Sequence, residues 1–347
     1  MAGLCATLES RMTRASIVLA VTLLAAPGCA PRRIDSTPLW QSSPCQQAIA
    51  GAVAWVWHPD AAERPRQDRW CMGVGAPLVT HAAPGSGQVR RLLVLSWNVH
   101  VGGGRIEEVV SRLLAGASSD TGVVLLLQEV FRAGAAVPDR VYDDDAIADA
   151  IRPHRPAPDI AALATRLGLS LAYVPSMRNG PATNEAERED RGSAILSSEP
   201  LSGITAIELP FGRQRRIAVM ATVTPRGGRP LQVISAHLDV ARGTRRQAAY
   251  LAGYLAGATA DVPRLLGIDT NAMLGTQDPA FDSLKRVLPV ETCGKGRTSS
   301  WLARVDFIFS SLAPSVARTC ERFTDRHGSD HVPLLLTVDL DPQQPVN

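Results

Sequence analysis

The sequence predicts an α/β protein in which strands predominate and helices lie between several of them. Six short apolar runs with the length of buried strands each carry an acid, an amide or an imidazole at one end. Between two of these runs, apolar residues recur every three or four positions from Ile106 to Leu114, which is typical of a helix. No internal repeat is apparent. The chain from residue 91 onward, about 250 residues, is long enough for one domain with a large core.

The six apolar runs share the position of their polar groups. Run 264–268 leads to Asp269 and Asn271, which lie two residues apart and therefore on one side of an extended backbone. If this pair were the only one, a strand that ends in an Asx turn would be enough to explain it. The other five runs repeat the feature at Asn98, at Gln128 and Glu129, at His237, at Asp306, and at Asp330 and His331. Polar groups that converge at the edge of an apolar scaffold predict an active site.

The remaining elements follow from the same patterns. Apolar periodicity predicts helices at 158–168, 243–257 and 278–287, and apolar runs predict strands at 171–174, 193–197 and 216–224. The long charged loop 175–191 is of the kind that often faces a substrate. Three adjacent carboxylates, Asp143 to Asp145, suggest either a calcium site or a solvated loop.

The first 28 residues are typical of an export signal. Arg11 and Arg14 precede an apolar run from Ala15 to Ala26, which is shorter than the ~20 residues that a membrane-spanning helix needs. Small residues before Cys29 resemble the lipobox of bacterial lipoproteins, although the usual leucine three residues earlier is missing. We therefore expect export, with Cys29 lipidated to form a membrane-anchored lipoprotein. The alternative is a plain signal peptide that is cut elsewhere and yields a periplasmic or secreted product.

The cysteines agree with export. Apart from Cys5 and Cys29, four remain, and an even number in an exported chain predicts two disulfides. The simplest of three pairings is Cys45–Cys71 with Cys293–Cys320; four buried thiols are the alternative. No cysteine or histidine cluster has the spacing of a zinc site.

Residues 29–90 form an N-terminal extension, which we expect to pack on the main domain, residues 91–341, with the help of Cys45–Cys71. The whole chain has 36 basic and 33 acidic residues and a formal net charge of +3. Such a balance gives no strong electrostatic case for nucleic acid. Arginine suits bidentate phosphate contacts, so Arg191 and Arg216 are candidate substrate-binding residues.

The polar groups belong to six short motifs that follow one another along the chain. Trp97-Asn98, Gln128-Glu129, Ser235-Ala236-His237, Asp269-x-Asn271, Val305-Asp306-Phe307 and Ser329-Asp330-His331 follow one another along residues 91–340. In this order and approximate spacing the chain resembles the endonuclease/exonuclease/phosphatase superfamily, which includes DNase I, exonuclease III-type nucleases, neutral sphingomyelinases and inositol-polyphosphate 5-phosphatases. The resemblance implies a DNase I-like four-layer α/β sandwich, with two mixed β-sheets face to face and helices outside.

The resemblance also implies roles for these residues. Glu129, Asn98 and Asp330 would hold Mg²⁺, with Mn²⁺ as an alternative, because magnesium prefers carboxylate and amide oxygens. His331 would be the general base, held by Asp306.

On the substrate side, Asp269 and Asn271 would position the nucleophile and a phosphoryl oxygen. His237 would be a leaving-group acid, with Asp190 as a candidate to orient it. His100 stands where abasic-site nucleases carry an acid.

The expected function is that of an exported, Mg²⁺-dependent phosphodiesterase, with nuclease activity on DNA or RNA as the first reading. A sphingomyelinase-type phospholipid phosphodiesterase or a phosphatase is the alternative, since one catalytic core serves many phosphoesters. A non-catalytic binding module is the third, and the intact set of carboxylates and histidines argues against it. The protein is expected to be a monomer.

Overall fold

Two mixed β-sheets lie face to face at the centre of the computed structural model. The structure describes residues 53–83, 85–139, 147–148, 159–179, 188–240, 242–257, 262–272, 278–291, 293, 296–300 and 304–340. All of these belong to one unit that begins at Ser36. The expected signal, Cys29, Cys45 and the carboxylates Asp143 to Asp145 lie outside the described residues.

The first sheet has seven strands in the order β1-β8-β9-β10-β11-β13-β12 among the described residues. Strands β10 and β11 run parallel and pair His237 with Asp269, whereas β11 and β13 run antiparallel and pair Asp269 with Asp306. Three polar side chains therefore lie side by side at one end of this sheet. Its strands are β1 (Ala54–Val56), β8 (Leu201–Glu208), β9 (Ile217–Val223), β10 (Leu231–His237), β11 (Arg264–Asp269), β12 (Val290–Glu291) and β13 (Asp306–Ser310).

The second sheet follows the order β14-β15-β3-β4-β7-β6-β2, with a short β5 also paired to β6. Parallel pairing of β3 with β4 places Asn98 opposite Gln128, next to Glu129. Its strands are β2 (Leu78–Thr80), β3 (Arg91–Asn98), β4 (Thr121–Ala133), β5 (Ile147–Ala148), β6 (Ser170–Asn179), β7 (Glu189–Ser197), β14 (Ala317–Arg322) and β15 (Leu334–Asp339).

Helices cover the outer face of each sheet, so the protein has the four layers that the sequence predicts. The described helices are α1 (Arg64–Met72), α2 (Ile106–Ala115), α3 (Ile160–Leu167), α4 (Arg242–Gly257) and α5 (Ala280–Val287). Helices α4 and α5 pack on the first sheet around Phe281 and Phe307, and α2 and α3 pack on the second around Val109 and Leu163. A third apolar cluster fills the space between the sheets. None of the described helices is long and apolar enough to cross a membrane.

The sheets approach each other closely beneath the ends of β3, β4 and β11. A side chain at Gly267 would meet Ser96 and Leu126 of the opposite sheet, so only glycine fits there. Beside it, Gln128 donates to Ser235 Oγ at 3.1 Å, and Ser235 donates to the Leu127 carbonyl at 2.8 Å. These polar bonds cross the apolar interface and fix the relative position of the two sheets.

Strand β4 does not end at Gln128 and Glu129, as the sequence suggested, but continues to Ala133. Its pairing with β7 shifts between Leu127 and Val130, which marks a β-bulge. Within this bulge Glu129 has a positive φ of 54°. The bulge turns the Glu129 side chain away from the regular alternation of the strand, a feature that a hydrophobic pattern does not reveal.

The segment before residue 91 adds an edge strand to each sheet. Strand β1 pairs in parallel with β8, and β2 pairs antiparallel with β6. Between them, Trp70 of α1 packs against Met177 and Phe211. This segment therefore contributes directly to the wall formed by β6.

One expected disulfide is confirmed. Cys293 and Cys320 are bonded, with their Cα atoms 4.8 Å apart, and the bond joins the end of the first sheet to β14 of the second. Cys71 is also disulfide-bonded, while its expected partner Cys45 lies outside the described residues.

Candidate active site

The two sheets meet at a buried hydrogen bond between Asn98 and Asp269. Asn98 ends β3 and Asp269 ends β11, and Asn98 Nδ2 donates to Asp269 Oδ2 at 2.8 Å. The other oxygen, Oδ1, accepts from the Asn271 backbone N–H at 2.9 Å. Burial and the negative charge of Asp306 raise the pKa of Asp269 to about 7. The Asp269 carboxyl therefore lies fixed at the junction, in surroundings that favour its protonated form.

His331 lies beside this junction and pairs with Asp306. Its Nδ1 is 2.7 Å from Asp306 Oδ2, and its Nε2 is 3.8 Å from Asp269 Oδ2. Burial alone would lower the pKa of His331, but the carboxylates of Asp306 and Asp269 raise it to about 10. The pairing leaves Nδ1 committed to Asp306, while Nε2 faces the carboxylates of Asp269 and Asp330, which is the arrangement of an oriented acid–base group.

A short backbone segment, residues 298–300, holds the His331–Asp306 pair in place. Thr298 Oγ1 accepts from the backbone N–H groups of Val305 and Asp306, each at 3.0 Å. The Thr298 carbonyl accepts from Val332 N at 2.8 Å, and Ser299 forms a β-bridge with His331. Sequence patterns did not single out Thr298, because neither an apolar run nor a polar motif marks residues 298–300.

His237, at the end of β10, stands between two groups of partners. Its Nε2 is 2.9 Å from Asn271 Nδ2 and 3.5 Å from Asp269 Oδ2. Its Nδ1 is 2.9 Å from Arg216 Nη1 and 3.7 Å from Glu129 Oε1. Burial and the Arg216 charge lower the pKa of His237 well below its usual range, so the ring is neutral at pH 7.

A neutral imidazole accepts a hydrogen bond at only one nitrogen, yet donors lie against both nitrogens of His237. Arg216 can only donate, and Asn271 Nδ2 also donates to the Leu238 carbonyl at 2.9 Å. One of the two donors is therefore surplus, and an oxygen of a bound ligand can take it without the loss of a hydrogen bond.

The suggested pairing of Asp190 with His237 is wrong. Asp190 is buried and accepts hydrogen bonds from Arg132, from the Tyr173 hydroxyl at 2.8 Å and from Gly75 N at 2.8 Å. These three donors satisfy the carboxylate inside the second sheet, so Arg216 takes the place beside His237. Asp190 lies in β7 next to Arg191, but its side chain is among Arg132 and Tyr173 and not beside His237.

Glu129 presents a partly buried carboxylate to the site. The structure gives its carboxylate no hydrogen-bond donor among the described residues; Arg191 Nη1 lies 4.0 Å from Oε2. Burial alone would raise the pKa of Glu129, but the positive charges of Arg191 and Arg216 act in the opposite direction and hold it below its usual range. Glu129 is thus an ionised carboxylate whose oxygens remain free for a cation.

Asn98 and Asp330 lie on the same side as Glu129. Asn98 Oδ1 accepts from His100 N at 3.0 Å, and His100 Nδ1 lies 3.0 Å from Asp330 Oδ1. The negative charge of Asp330 acts to raise the pKa of Glu129. Two carboxylates and an amide oxygen are donors that suit a hard divalent cation, so the residues fit the metal that the sequence suggests. His100 joins this group through Asp330.

A second set of possible ligands consists of Asp269, Asp306 and His331, whose donor atoms all lie within 4.8 Å of one another. Hydrogen bonds already occupy this set: Asp306 holds His331, and Asp269 accepts from Asn98 and Asn271. Asp306 Oδ1, however, has no hydrogen-bond partner among the described residues. Both sets therefore offer carboxylate oxygens that a cation could bind.

Comparisons with known proteins give the family and the fold. A model of the endonuclease/exonuclease/phosphatase family matches residues 95–331. An endonuclease/exonuclease/phosphatase from Beutenbergia cavernae aligns with a TM-score of 0.50 at 19% identity, over 72% of each chain. A family protein from Leptotrichia buccalis aligns with a TM-score of 0.51 at 15% identity, over 72% of this chain and 100% of its own. No curated protein matches the sequence.

Removal of the Thr298 hydroxyl tests the segment that holds the His331–Asp306 pair. Thr298→Val keeps the side-chain shape but leaves two buried N–H groups without an acceptor. We expect a loss of about 2–3 kcal/mol in the free energy of unfolding, measured by denaturant titration. Thr298→Ser keeps the oxygen and should lose less than about 1 kcal/mol. Equal losses in both variants would contradict the role of the hydroxyl.

The charge state of His331 is testable by ¹⁵N NMR of the imidazole in metal-free protein. His331 should remain protonated at pH 8 and titrate near pH 10. Because this pKa lies above the usual value near 6.5, the stabilisation by protonated His331 is complete below pH 6.5 and is lost as the pH rises through 10.

Asp306→Asn is the matched variant for this titration. It removes the partner charge and should lower the pKa of His331. A His331 that titrates near 6.5 in the unmodified protein would disprove the pairing.

Proposed function

This chain belongs to the endonuclease/exonuclease/phosphatase family, and on that basis we propose that it is a divalent-metal-dependent hydrolase of phosphoesters. The observation that carries the proposal is the convergence of an oriented His331–Asp306 pair and a free, ionised Glu129 on either side of Asp269 and His237. Base, carboxylate ligand and hydrogen-bond donors to a phosphoryl group are the parts that phosphoester hydrolysis needs.

Glu129, Asn98 and Asp330 would hold the metal ion, Mg²⁺ in the first instance and Mn²⁺ as the alternative. When bound, such an ion stabilises the negative charge that develops on the phosphoryl oxygens. The lowered pKa of Glu129 supports this assignment, because the carboxylate needs no deprotonation before it binds a cation.

His331 acts as the base that takes a proton from the attacking water. Asp306 accepts from Nδ1 and so leaves Nε2 as the nitrogen that receives the proton. Asp269 lies 3.8 Å from Nε2 and can accept a hydrogen bond from the same water. Because neighbouring carboxylates raise the pKa of His331, the ring must lose a proton before it can act as the base. The positive charge of a cation held by Glu129, Asn98 and Asp330 would favour that loss.

Asn271, Arg191 and Arg216 supply the donors for the substrate. Asn271 and Arg216 each face His237 with an N–H group that the ring cannot fully accept, and these groups suit the non-bridging oxygens of a phosphoester. His237 is the candidate leaving-group acid. Its lowered pKa means that it must first gain a proton, which the negative charge of a bound phosphoester favours.

The first substrate that we propose is DNA or RNA, which would make the protein a nuclease. The cationic groups that face the site, Arg191 and Arg216, favour an anionic substrate. The second hypothesis is a phospholipid phosphodiesterase of sphingomyelinase type or a phosphatase. The third is a non-catalytic binding module. Export, by a signal in residues 1–28 with lipidation of Cys29 as the anchored form, and a monomeric state complete the proposal.

Hydrolysis by the purified protein tests the proposal directly. With Mg²⁺, we expect cleavage of bis-p-nitrophenyl phosphate and nicking of plasmid DNA. EDTA should abolish the activity, and Mg²⁺ or Mn²⁺ should restore it. Glu129→Ala should be inactive, and His331→Ala should lower turnover by at least ~10²-fold, because it removes the base.

Single-stranded DNA, RNA and sphingomyelin complete the substrate panel. Cleavage of sphingomyelin without nicking would favour the phospholipid reading. Hydrolysis that persists in EDTA, or in Glu129→Ala, would overturn the metal-dependent mechanism.

A further inference from the structure

Strand β7 lies between two strands that each carry a bulge at the same level. The pairing of β7 with β4 shifts at Gln128 and Glu129, and its pairing with β6 shifts at Ser176. Both bulges lie opposite residues 191–193 of β7. Because a bulge interrupts the ladder of backbone hydrogen bonds, other contacts must hold the strands beside it in register.

Asp190 and Arg191 of β7 face opposite sides of the second sheet, since side chains alternate along a strand. Arg191 faces the site, where its Nη1 lies 4.0 Å from Glu129 Oε2. Asp190 faces the outer side and contacts Tyr173, which belongs to the apolar cluster beneath α2 and α3. Asp190 is thus a buried acid next to the site that takes no part in the proton transfers proposed above.

The Asp190 carboxylate binds three separate segments of the chain. Its Oδ1 accepts from Arg132 Nε at 3.1 Å and from the Tyr173 hydroxyl at 2.8 Å. Its Oδ2 accepts from Arg132 Nη2 and from Gly75 N at 2.8 Å. Arg132 lies in β4, Tyr173 in β6 and Gly75 in the N-terminal segment, the chain before residue 91. These four hydrogen bonds, the Asp190 network, therefore tie both bulged strands and the N-terminal segment to one residue of β7.

Arg132 connects this network to the bulge in β4. It is the register partner of Asp190 and lies three residues after Glu129. Its Nη1 also donates to the Ala76 carbonyl at 2.6 Å. Gly75 has no room for a side chain, because a Cβ there would meet the Arg132 guanidinium. The N-terminal segment thus packs closely over the ion pair and completes it.

The Asp190 network is buried. The Asp190 side chain has no exposed surface, and 6% of the Arg132 side chain is exposed. Burial raises the pKa of Asp190, whereas the charge of Arg132 and the hydrogen bonds act in the opposite direction. A shift of β4 relative to β7 would break these bonds where water cannot replace them, which is costly for a buried ion pair. The network therefore fixes the register of the two strands beyond the bulge.

We propose that Asp190 is a positioning residue, whose network locks the bulges of β4 and β6 and so directs Glu129 and Arg191 into the site. The proposal rests on the hydrolase function proposed above. It also gives the N-terminal segment a part in the reaction, although that segment lies outside residues 95–331, which the family model matches. Asp190 acts through its neighbours, without contact with the substrate.

Glu199 provides a matched control. It lies just beyond the other end of β7, is fully buried and accepts from Arg226 N at 3.0 Å, Nε at 3.1 Å and Nη2 at 3.0 Å. Asp190→Asn and Glu199→Gln therefore each remove the charge of a buried carboxylate that binds one arginine and one backbone N–H. Both variants should be less stable, but only Asp190→Asn should alter the site.

Hydrolysis of bis-p-nitrophenyl phosphate measures the effect on the site. At a temperature where all variants are folded, Asp190→Asn should lower kcat/KM at least ~10-fold and raise the Mg²⁺ concentration needed for half-maximal rate, because Glu129 and Arg191 are displaced. Tyr173→Phe removes one of the four donors and should give a smaller loss in the same direction. Glu199→Gln should keep the native values. Equal losses in Asp190→Asn and Glu199→Gln would show a structural role only and overturn the proposal.

Hydrogen–deuterium exchange in EDTA separates this role from the hydrolase function. In Asp190→Asn, backbone amides at both bulges should exchange at least ~10-fold faster than in the native protein, while those at the Ser197 end of β7 keep their rate. Glu199→Gln should show the reverse pattern. If Asp190→Asn does not fold, Tyr173→Phe allows the same comparison.

The two measurements can fail independently. A native protein that hydrolyses nothing but shows this exchange pattern in its variants would refute the enzyme and support the Asp190 network as the lock on the bulges. Unchanged exchange at both bulges would refute the positioning role, even if Asp190→Asn lowered the rate of hydrolysis.

Discussion

The hydrogen bond between Asn98 and Asp269 is the interaction on which the rest of the site depends. It joins the ends of β3 and β11, which belong to opposite sheets, at 2.8 Å in a nearly dry interior. Gly267 lets the sheets approach closely enough for this bond, and Gln128 with Ser235 adds a second polar link beneath it. Because buried polar groups must be paired, these bonds define the relative position of the sheets more strictly than apolar packing alone. The base and the proposed metal ligands are consequently brought to one place from strands far apart in sequence.

Charge then divides this junction into two parts with different chemistry. On one side, carboxylates raise the pKa of His331 to about 10 and so provide a base whose proton affinity depends on their charge. On the other, Arg191 and Arg216 hold the pKa of Glu129 below its usual range, and burial together with the Arg216 charge lowers the pKa of His237. The positive φ angles of Glu129 and Asn271, 54° and 50°, show that the backbone is strained at both sides of His237. That strain is tolerated because the surrounding sheets fix these residues, and it directs their side chains into the site.

The sequence predicted most of the scaffold and the identity of the polar cluster, because both depend on short-range patterns. Apolar runs that end in Asn98, His237 and Asp269 identify strands and their polar ends together, and the structure confirms the four-layer sandwich. What the sequence did not predict depends on contacts between distant segments. The bulge at Glu129 is set by its pairing with β7, the isolation of Asp190 by Arg132 and Tyr173, and the support from Thr298 by a β-bridge to His331. Trp70 behind Met177 likewise reveals a role for the N-terminal segment that its composition does not indicate.

The location of a bound metal ion would test the central claim most directly, because it separates the two candidate ligand sets. Crystals grown with Mn²⁺ and measured near the manganese absorption edge would show the ion by its anomalous signal. The account predicts a single strong peak beside Glu129 and Asp330, with the His331–Asp306 hydrogen bond intact. A peak among Asp269, Asp306 and His331 instead would contradict it, since the proposed base would then be a metal ligand.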